Sequence, residues 1–142
     1  MRSKHQVAKK QYEAIAAFRY ELRRYLRFSE ELTRKVGLTP LQYQLLLQVK
    51  GYPGREWATI GELAERLQAQ HHGVVALVTR CEQQKLATRK TSESDRRQIE
   101  VHLLPKGEKL LERLVDMHRT ELLALQGRFR VPNIKALAGG VG

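Results

Sequence analysis

With 142 residues, the chain is long enough for one domain with a core and too short for two comfortable ones, and its single cysteine, Cys81, excludes an internal disulfide. Lys and Arg number 26 against 15 Asp and Glu, a formal charge of +11 that points to a polyanionic partner. No run approaches the ~18 apolar residues of a membrane span, no signal core follows the amino terminus, and the five histidines lack zinc-binding spacings; a cytoplasmic, nucleoid-associated protein without metal or cofactor is expected.

From Tyr12 to Val36 apolar residues recur every three or four positions: Tyr12, Ile15, Phe18, Leu22, Tyr25, Leu26, Leu32 and Val36. Arg19, Arg23, Arg24 and Arg27 fill much of the rest, which predicts a long amphipathic helix with a basic face, either solvated or in contact with phosphate. Gly37 suits a helix terminus, and Thr39, Pro40 and Gln42 then spell a capping box that opens a second helix at Pro40. Its inward set is Leu41, Leu45, Leu46 and Val49, and Gly51-Tyr52-Pro53-Gly54 should stop it. After a short extended piece at Trp57-Ala58, Thr59 and Glu62 repeat the capping box for a third helix with Leu63, Ala64 and Leu67 inside.

A fourth helix is predicted from about Gln70 to Lys85, with Val74, Leu77, Val78 and Cys81 inward and Gln70, His71, His72, Val75, Ala76 and Arg80 outward. Cys81 is expected to be a small buried hydrophobe, and the adjacent His71 and His72 point to different sides and cannot chelate one ion well. Gly73 costs about 1 kcal/mol of helix propensity, either to admit another backbone or by accident. Leu86 to Lys90 and Gln98 to Leu103 then read as two short strands, Ile99, Val101 and Leu103 alternating as a half-buried strand requires, leaving Thr91 to Arg97 as a polar, cationic hairpin tip. Pro105 opens a last long helix, with Leu110, Leu111, Leu114, Val115, His118, Leu122 and Leu125 on one broad face. A further helical turn or two is expected within Val131 to Gly142.

The order helix, helix, short strand, helix, helix, hairpin, helix predicts a mainly α chain with a small β-wing. Helices three and four form a helix-turn-helix, and the hairpin is its wing. An α-helix fits the major groove of DNA, and a cationic tip suits the narrow minor groove. Asp95, two residues before Arg97, can hold that guanidinium in one rotamer across the turn. No glycine-rich phosphate loop, nucleophile elbow or metal site appears, so no enzyme is expected.

From Leu38 to about Leu125 the chain resembles the MarR family of winged-helix transcription regulators. The matching elements are Thr59-Ile60-Gly61-Glu62-Leu63-Ala64, then Cys81 to Leu86 followed by Arg89, and above all Asp95-Arg96-Arg97 ahead of a strand and Leu104-Pro105-Lys106-Gly107-Glu108. The resemblance implies a homodimer on double-stranded DNA at a pseudo-palindromic operator, commonly as a repressor released by a small molecule, here expected to be aromatic or phenolic. It implies one MarR-type domain over 1–142, with dimerisation helices at 8–36 and 105–138 around a winged-helix lobe at 38–104.

Placed residue by residue, the resemblance puts base-facing positions at Gln70, His71, His72, Val75 and Ala76, with Arg80 near the backbone. Arg89, Lys90, Asp95, Arg96 and Arg97 belong to the wing, with Arg97 at its tip. Tyr12, Phe18, Tyr43, Trp57 and His118 are candidates to line an effector cleft, although aromatics at helical spacing are more often core. The alternative is a non-specific architectural DNA binder or an RNA-associated winged helix.

Four features depart from the family pattern. Lys85 stands where members usually carry Gly, which demands either a left-handed residue or a different turn. Leu104 replaces a hydroxyl cap. The final segment is shorter than the usual last helix, and the first helix lacks the reactive cysteine of peroxide-sensing members.

Overall fold

A computed structural model describes residues 7–133. The elements are α1 (Lys9–Lys35), α2 (Pro40–Lys50), β1 (Trp57–Thr59), α3 (Ile60–Leu67), α4 (His71–Gln83), β2 (Ala87–Thr91), β3 (Ile99–Leu103) and α5 (Pro105–Leu125). The fold is a winged helix, mainly α with a three-stranded antiparallel sheet of order β1-β3-β2. Internal contacts divide the chain into two compact units, 30–117 and the remainder, whose described part is 7–29 with 118–133.

In the unit 30–117, local chemistry sets most boundaries. Gly37, at φ +82°, ends α1 with a six-to-one bond from the Leu38 N–H to the Thr33 carbonyl (3.0 Å). Both capping boxes form: the Thr39 and Thr59 side chains accept from the N–H of Gln42 and Glu62, whose side chains accept in return from the cap backbone. The core closes on Leu45, Leu46 and Val49 of α2, Leu63 of α3, Val78 of α4 and Val101 of β3, all fully buried. A buried side chain of this size contributes about 1.5–3 kcal/mol relative to an exposed one.

Two faces differ from the periodic reading. Leu41, assigned inward, is 53% exposed, while its neighbours Gln42 and Tyr43 are buried. Gln42 turns in because its side chain serves both the Thr39 cap and Gln84, whose Oε1 accepts from Gln42 Nε2 (3.2 Å). In α5, Val115 (41%) and Leu122 (48%) are exposed although they were expected inside, since burial follows the narrower stripe of Leu111, Leu114 and His118. The expected helical turns after Val131 lie, beyond Asn133, outside the described residues.

The C-terminal end of α4 resolves the Lys85 alternative. Lys85 adopts φ +60°, its N–H donating to the Glu82 carbonyl (3.0 Å) and the Leu86 N–H to that of Cys81 (2.8 Å), a Schellman terminus built without glycine. A left-handed non-glycine residue costs about 1–2 kcal/mol. The Lys106 ammonium offsets part of that cost by donating to the Gln84 carbonyl (3.1 Å), a cation on the negative end of the helix.

In the other unit, α1 meets the C-terminal part of α5 and the segment that follows it through aromatic contacts. Phe18 stacks on Phe129 with ring centroids 5.2 Å apart. His118 is buried, its Nε2 2.7 Å from Ser29 Oγ, with Tyr25 and Phe28 edge-on to its ring. Burial, and secondly Glu121, push the Tyr25 hydroxyl above its ordinary pKa.

Candidate nucleic-acid interface

The outer face of α4 is set by what its inner face buries. Val74, Leu77, Val78 and Cys81 sit in the core, so the 3.6-residue period turns Gln70, His71, His72, Val75, Ala76 and Arg80 to solvent. Burial raises the Cys81 thiol to about 11, so it packs as a neutral hydrophobe. Gln70 caps α4 through its backbone and makes no side-chain cap bond, which leaves the first N–H groups of the helix without that partner. A Cβ added at Gly73 would meet nothing within 4 Å, so among the described residues none approaches it closely.

Helix α3 aims α4. It ends on Gln68 at φ +51°, with the Ala69 N–H donating to the Ala64 carbonyl (2.9 Å), and the chain turns at once into the Gln70 cap. At its start Glu62 accepts from the Thr59 N–H (2.8 Å) and pairs with Arg55, whose guanidinium lies over Tyr52 (4.2 Å) and Trp57 (3.9 Å). Burial alone would raise the Glu62 carboxyl, but hydrogen bonds from Tyr52, Thr59 and Arg55 outweigh it and hold the group at about 2. Its folded value lies below the ordinary 4.5, so the stability it contributes is present above pH 4.5 and lost as pH falls toward 2. Glu62→Gln keeps a cap acceptor and removes the charge; its urea midpoint is expected to fall less than the parent's across that window, and parallel acid limbs would sink this assignment.

The wing is fixed at base and tip. In the sheet register Arg89 pairs with Val101 and lies on the same β2 face as buried Ala87, which turns its side chain toward α4. There its Nη2 donates to the Val75 carbonyl (2.9 Å) and to Thr79 Oγ1 (2.8 Å), its Nη1 pairs with Glu82, and its backbone N–H donates to Glu82 Oε2 (3.1 Å). Arg89, expected from the sequence to be a DNA-contacting wing residue, thus spends its fork on α4. Lys90, opposite Glu100, and Arg96 are exposed.

At the tip, buried Ser92 organises the turn. Its N–H donates to the Gln98 carbonyl (3.0 Å), its Oγ accepts from the Asp95 N–H (3.2 Å), and the Gln98 N–H donates to the Asp95 carbonyl (2.9 Å). Asp95 in turn accepts from Arg97 Nε (3.2 Å), Nη2 (3.4 Å) and the backbone N–H (3.0 Å), which holds its carboxyl below the usual range. The Arg97 side chain is 91% exposed, so it is oriented yet open to a partner.

The five aromatic candidates do not share one environment. Tyr12 is 59% exposed, Phe18 is stacked on Phe129 and His118 is buried, all three in one unit. Tyr43 is core in the other, and Trp57 stands between Arg55 and His102, whose ring stacks on it at 6.0 Å. A separate open depression of about 510 Å³, lined by α3 and the α3–α4 turn from Gly61 to Gln70, includes none of them. Among the described residues no group of three or more His, Cys, Asp or Glu could hold a metal ion, and no helix is long and apolar enough to cross a membrane.

Sequence reasoning missed Glu82, Thr79 and Ser92 as supports, and the Tyr52–Arg55–Trp57–Glu62 cluster that braces α3. The only local sign was Glu62 in its capping box.

The MarR family profile matches residues 36–98. A curated relative from Thauera aromatica, a putative transcriptional regulatory protein for the hcr operon, is 31% identical over 100 residues, 70% of this chain and 54% of that protein. The chain thus spans about half the length of that relative. AbsC of Streptomyces coelicolor, a MarR family transcriptional regulator, has the same fold with a TM-score of 0.72 at 20% identity, over 87% of this chain and 81% of that one. A cysteine-to-serine mutant of Escherichia coli MarR, solved with operator DNA, aligns with a TM-score of 0.63 at 17% identity over 73% and 72% of the two chains.

Proposed function

From the match of the MarR family profile to the winged-helix segment, residues 36–98, we propose that this chain is a MarR-type, sequence-specific, DNA-binding transcription regulator acting as a homodimeric repressor. The observation that carries the reading is the joining of two solvent-facing elements by Arg89: the outer face of α4, sized for a major groove, and a wing tip that presents Arg97 in a fixed orientation. The charge of the lobe favours specific over bulk electrostatic binding. Residues 30–117 carry fourteen Lys and Arg against twelve Asp and Glu, so affinity must come from placed contacts more than from net charge.

A second copy of the chain is supported by the apolar residues the other unit leaves open. Tyr12, Tyr20, Leu26, Leu122, Leu123 and Val131 are all exposed there, more than two helices can cover by themselves. In a two-fold dimer the two α4 helices would reach successive major grooves about 34–36 Å apart on a pseudo-palindromic operator, and a clamped dimer occludes the promoter beneath it.

The test is fluorescence anisotropy on the DNA upstream of the protein's own gene, with excess unrelated duplex, at two salt concentrations. Binding that survives the competitor and weakens with salt is expected. Arg97→Ala should weaken it by about 1–3 kcal/mol while fold and dimer persist. An unchanged affinity at fixed salt would remove the wing from the reading.

A further inference from the structure

The outward face of α4 is short of charge. From Leu67 to Thr79 the chain carries no Lys, Arg, Asp or Glu, although its formal charge is +11. Arg80, exposed, restores a cation one turn beyond Ala76. Arg89 reaches the same helix from the wing, but its fork is spent on Val75, Thr79 and Glu82. A helix docked in a major groove contacts base edges with its N-terminal residues, and the commonest specific contact is Arg or Lys on the O6 and N7 of guanine. That reader is missing from the first two turns of α4.

What stands in its place is apolar. His72, Val75, Ala76 and Thr79 are spaced i, i+3, i+4 and i+7 and share one face, opposite the stripe of Val74, Leu77, Val78 and Cys81 that the core buries. Val75 is the large apolar side chain that α4 leaves open, at 36% exposure. Thr79 adds no free hydroxyl proton, because its Oγ1 donates to the Val75 carbonyl (3.0 Å) while accepting from Arg89 Nη2 (2.8 Å). The same carbonyl accepts from Arg89 Nη2 (2.9 Å), so the turn that carries Val75 is tied to the wing. A β-branched side chain in a helix keeps essentially one χ1 rotamer, and Val75 therefore loses little freedom when it meets a partner.

We propose that Val75, with Ala76 beside it, packs on a thymine 5-methyl group, so that each operator half-site carries thymine beneath the second turn of α4. This rests on the regulator reading above. The thymine methyl is the apolar group that the four bases present in the major groove, where the other bases show only donors and acceptors. Seating Val75 on a G·C pair would strip water from O6, N7 or N4 and return no hydrogen bond. Seating it on the methyl removes apolar surface from water on both sides. The wing tip agrees, since a guanidinium oriented by Asp95 suits the narrow minor groove of A·T-rich DNA.

The experiment selects duplexes from a random-sequence pool with the full-length protein. Each thymine of the selected operator is then replaced by deoxyuridine, which removes the 5-methyl and leaves every hydrogen-bonding group in place. Affinity is read by anisotropy at fixed salt. At one position in each half-site the wild type should lose about fourfold on substitution, the worth of one buried methyl. Val75→Ala should bind the thymine operator about fourfold more weakly per half-site and lose little more when uridine takes that position; circular-dichroism melting and sedimentation check its fold and assembly. A selected operator with no thymine common to its half-sites, or one whose affinity no uridine changes, overturns the proposal and leaves the regulator reading standing. So does a uridine loss that Val75→Ala shows in full, because the methyl then meets another residue. A pool from which no sequence is enriched overturns both, since a protein that reads no sequence reads no thymine.

Discussion

Replacing Gly107 by Ala is expected to lower stability by about 3 kcal/mol, a large part of the 5–15 kcal/mol typical of a domain. On propensity the substitution should help, since Ala is favoured over Gly inside a helix by about 1 kcal/mol. The surroundings decide otherwise. A Cβ at Gly107 would lie 2.1 Å from the Leu86 carbonyl oxygen and 2.9 Å from its carbon, and both belong to backbone that cannot rotate aside. The same oxygen accepts from the Leu104 N–H (2.9 Å), so displacing it also breaks the bond joining the start of α5 to the base of the wing. Urea denaturation should show the midpoint falling at unchanged slope. Gly73→Ala is the internal control: its Cβ has open space, and the midpoint should rise by an amount worth up to about 1 kcal/mol. If both variants moved the midpoint upward, the contact at Leu86 would not exist in solution.

Arg89→Ala is the second large effect, and its consequences extend from stability to DNA binding. The side chain is 29% exposed and its fork serves Val75, Thr79 and Glu82. Removing it leaves the Glu82 carboxylate without its cation and should cost about 2–3 kcal/mol. It also releases β2 from α4, so the reading helix and the wing lose their common frame, and affinity for the operator should fall at least tenfold at a temperature where the variant is still folded. Arg89→Lys carries the charge and three donors on one compact ammonium, without the planar fork that spans Val75, Thr79 and Glu82, and an intermediate affinity is expected. Anisotropy and urea titrations together separate two roles. Loss of both stability and affinity identifies a positioning residue, whereas loss of affinity at undiminished stability would return Arg89 to direct DNA contact, as expected of it from the sequence as a wing residue.

Both predictions turn on contacts absent from any local pattern, and the same division runs through the molecule. Thr39 with Gln42 and Thr59 with Glu62 were legible as helix starts because a capping box closes within four residues. The inward face of α4 was legible because a period of 3.6 residues is an intrinsic property of the helix. The Asp95–Arg97 pair was legible for a related reason, since two residues across a tight turn are neighbours however the rest of the chain packs. The sequence therefore determined the order of the elements, the outward face of α4 and the geometry of the wing tip.

Only the tertiary structure decided which partner each element meets. β1 joins the sheet because Ala58 pairs with Val101, across more than forty intervening residues whose path no periodicity encodes. Leu41 and Gln42 exchange their expected places because Gln84 arrives from another helix to bind the amide. Arg89 reads from the sequence as one more basic wing residue, and becomes a brace only because β2 lies against α4, where Val75, Thr79 and Glu82 wait on successive turns. The physical reason is common to all three. Capping and periodicity act over one or two turns of chain, while the choice between a solvated and a bonded polar side chain depends on desolvation, and desolvation is set by whatever distant segment packs on top.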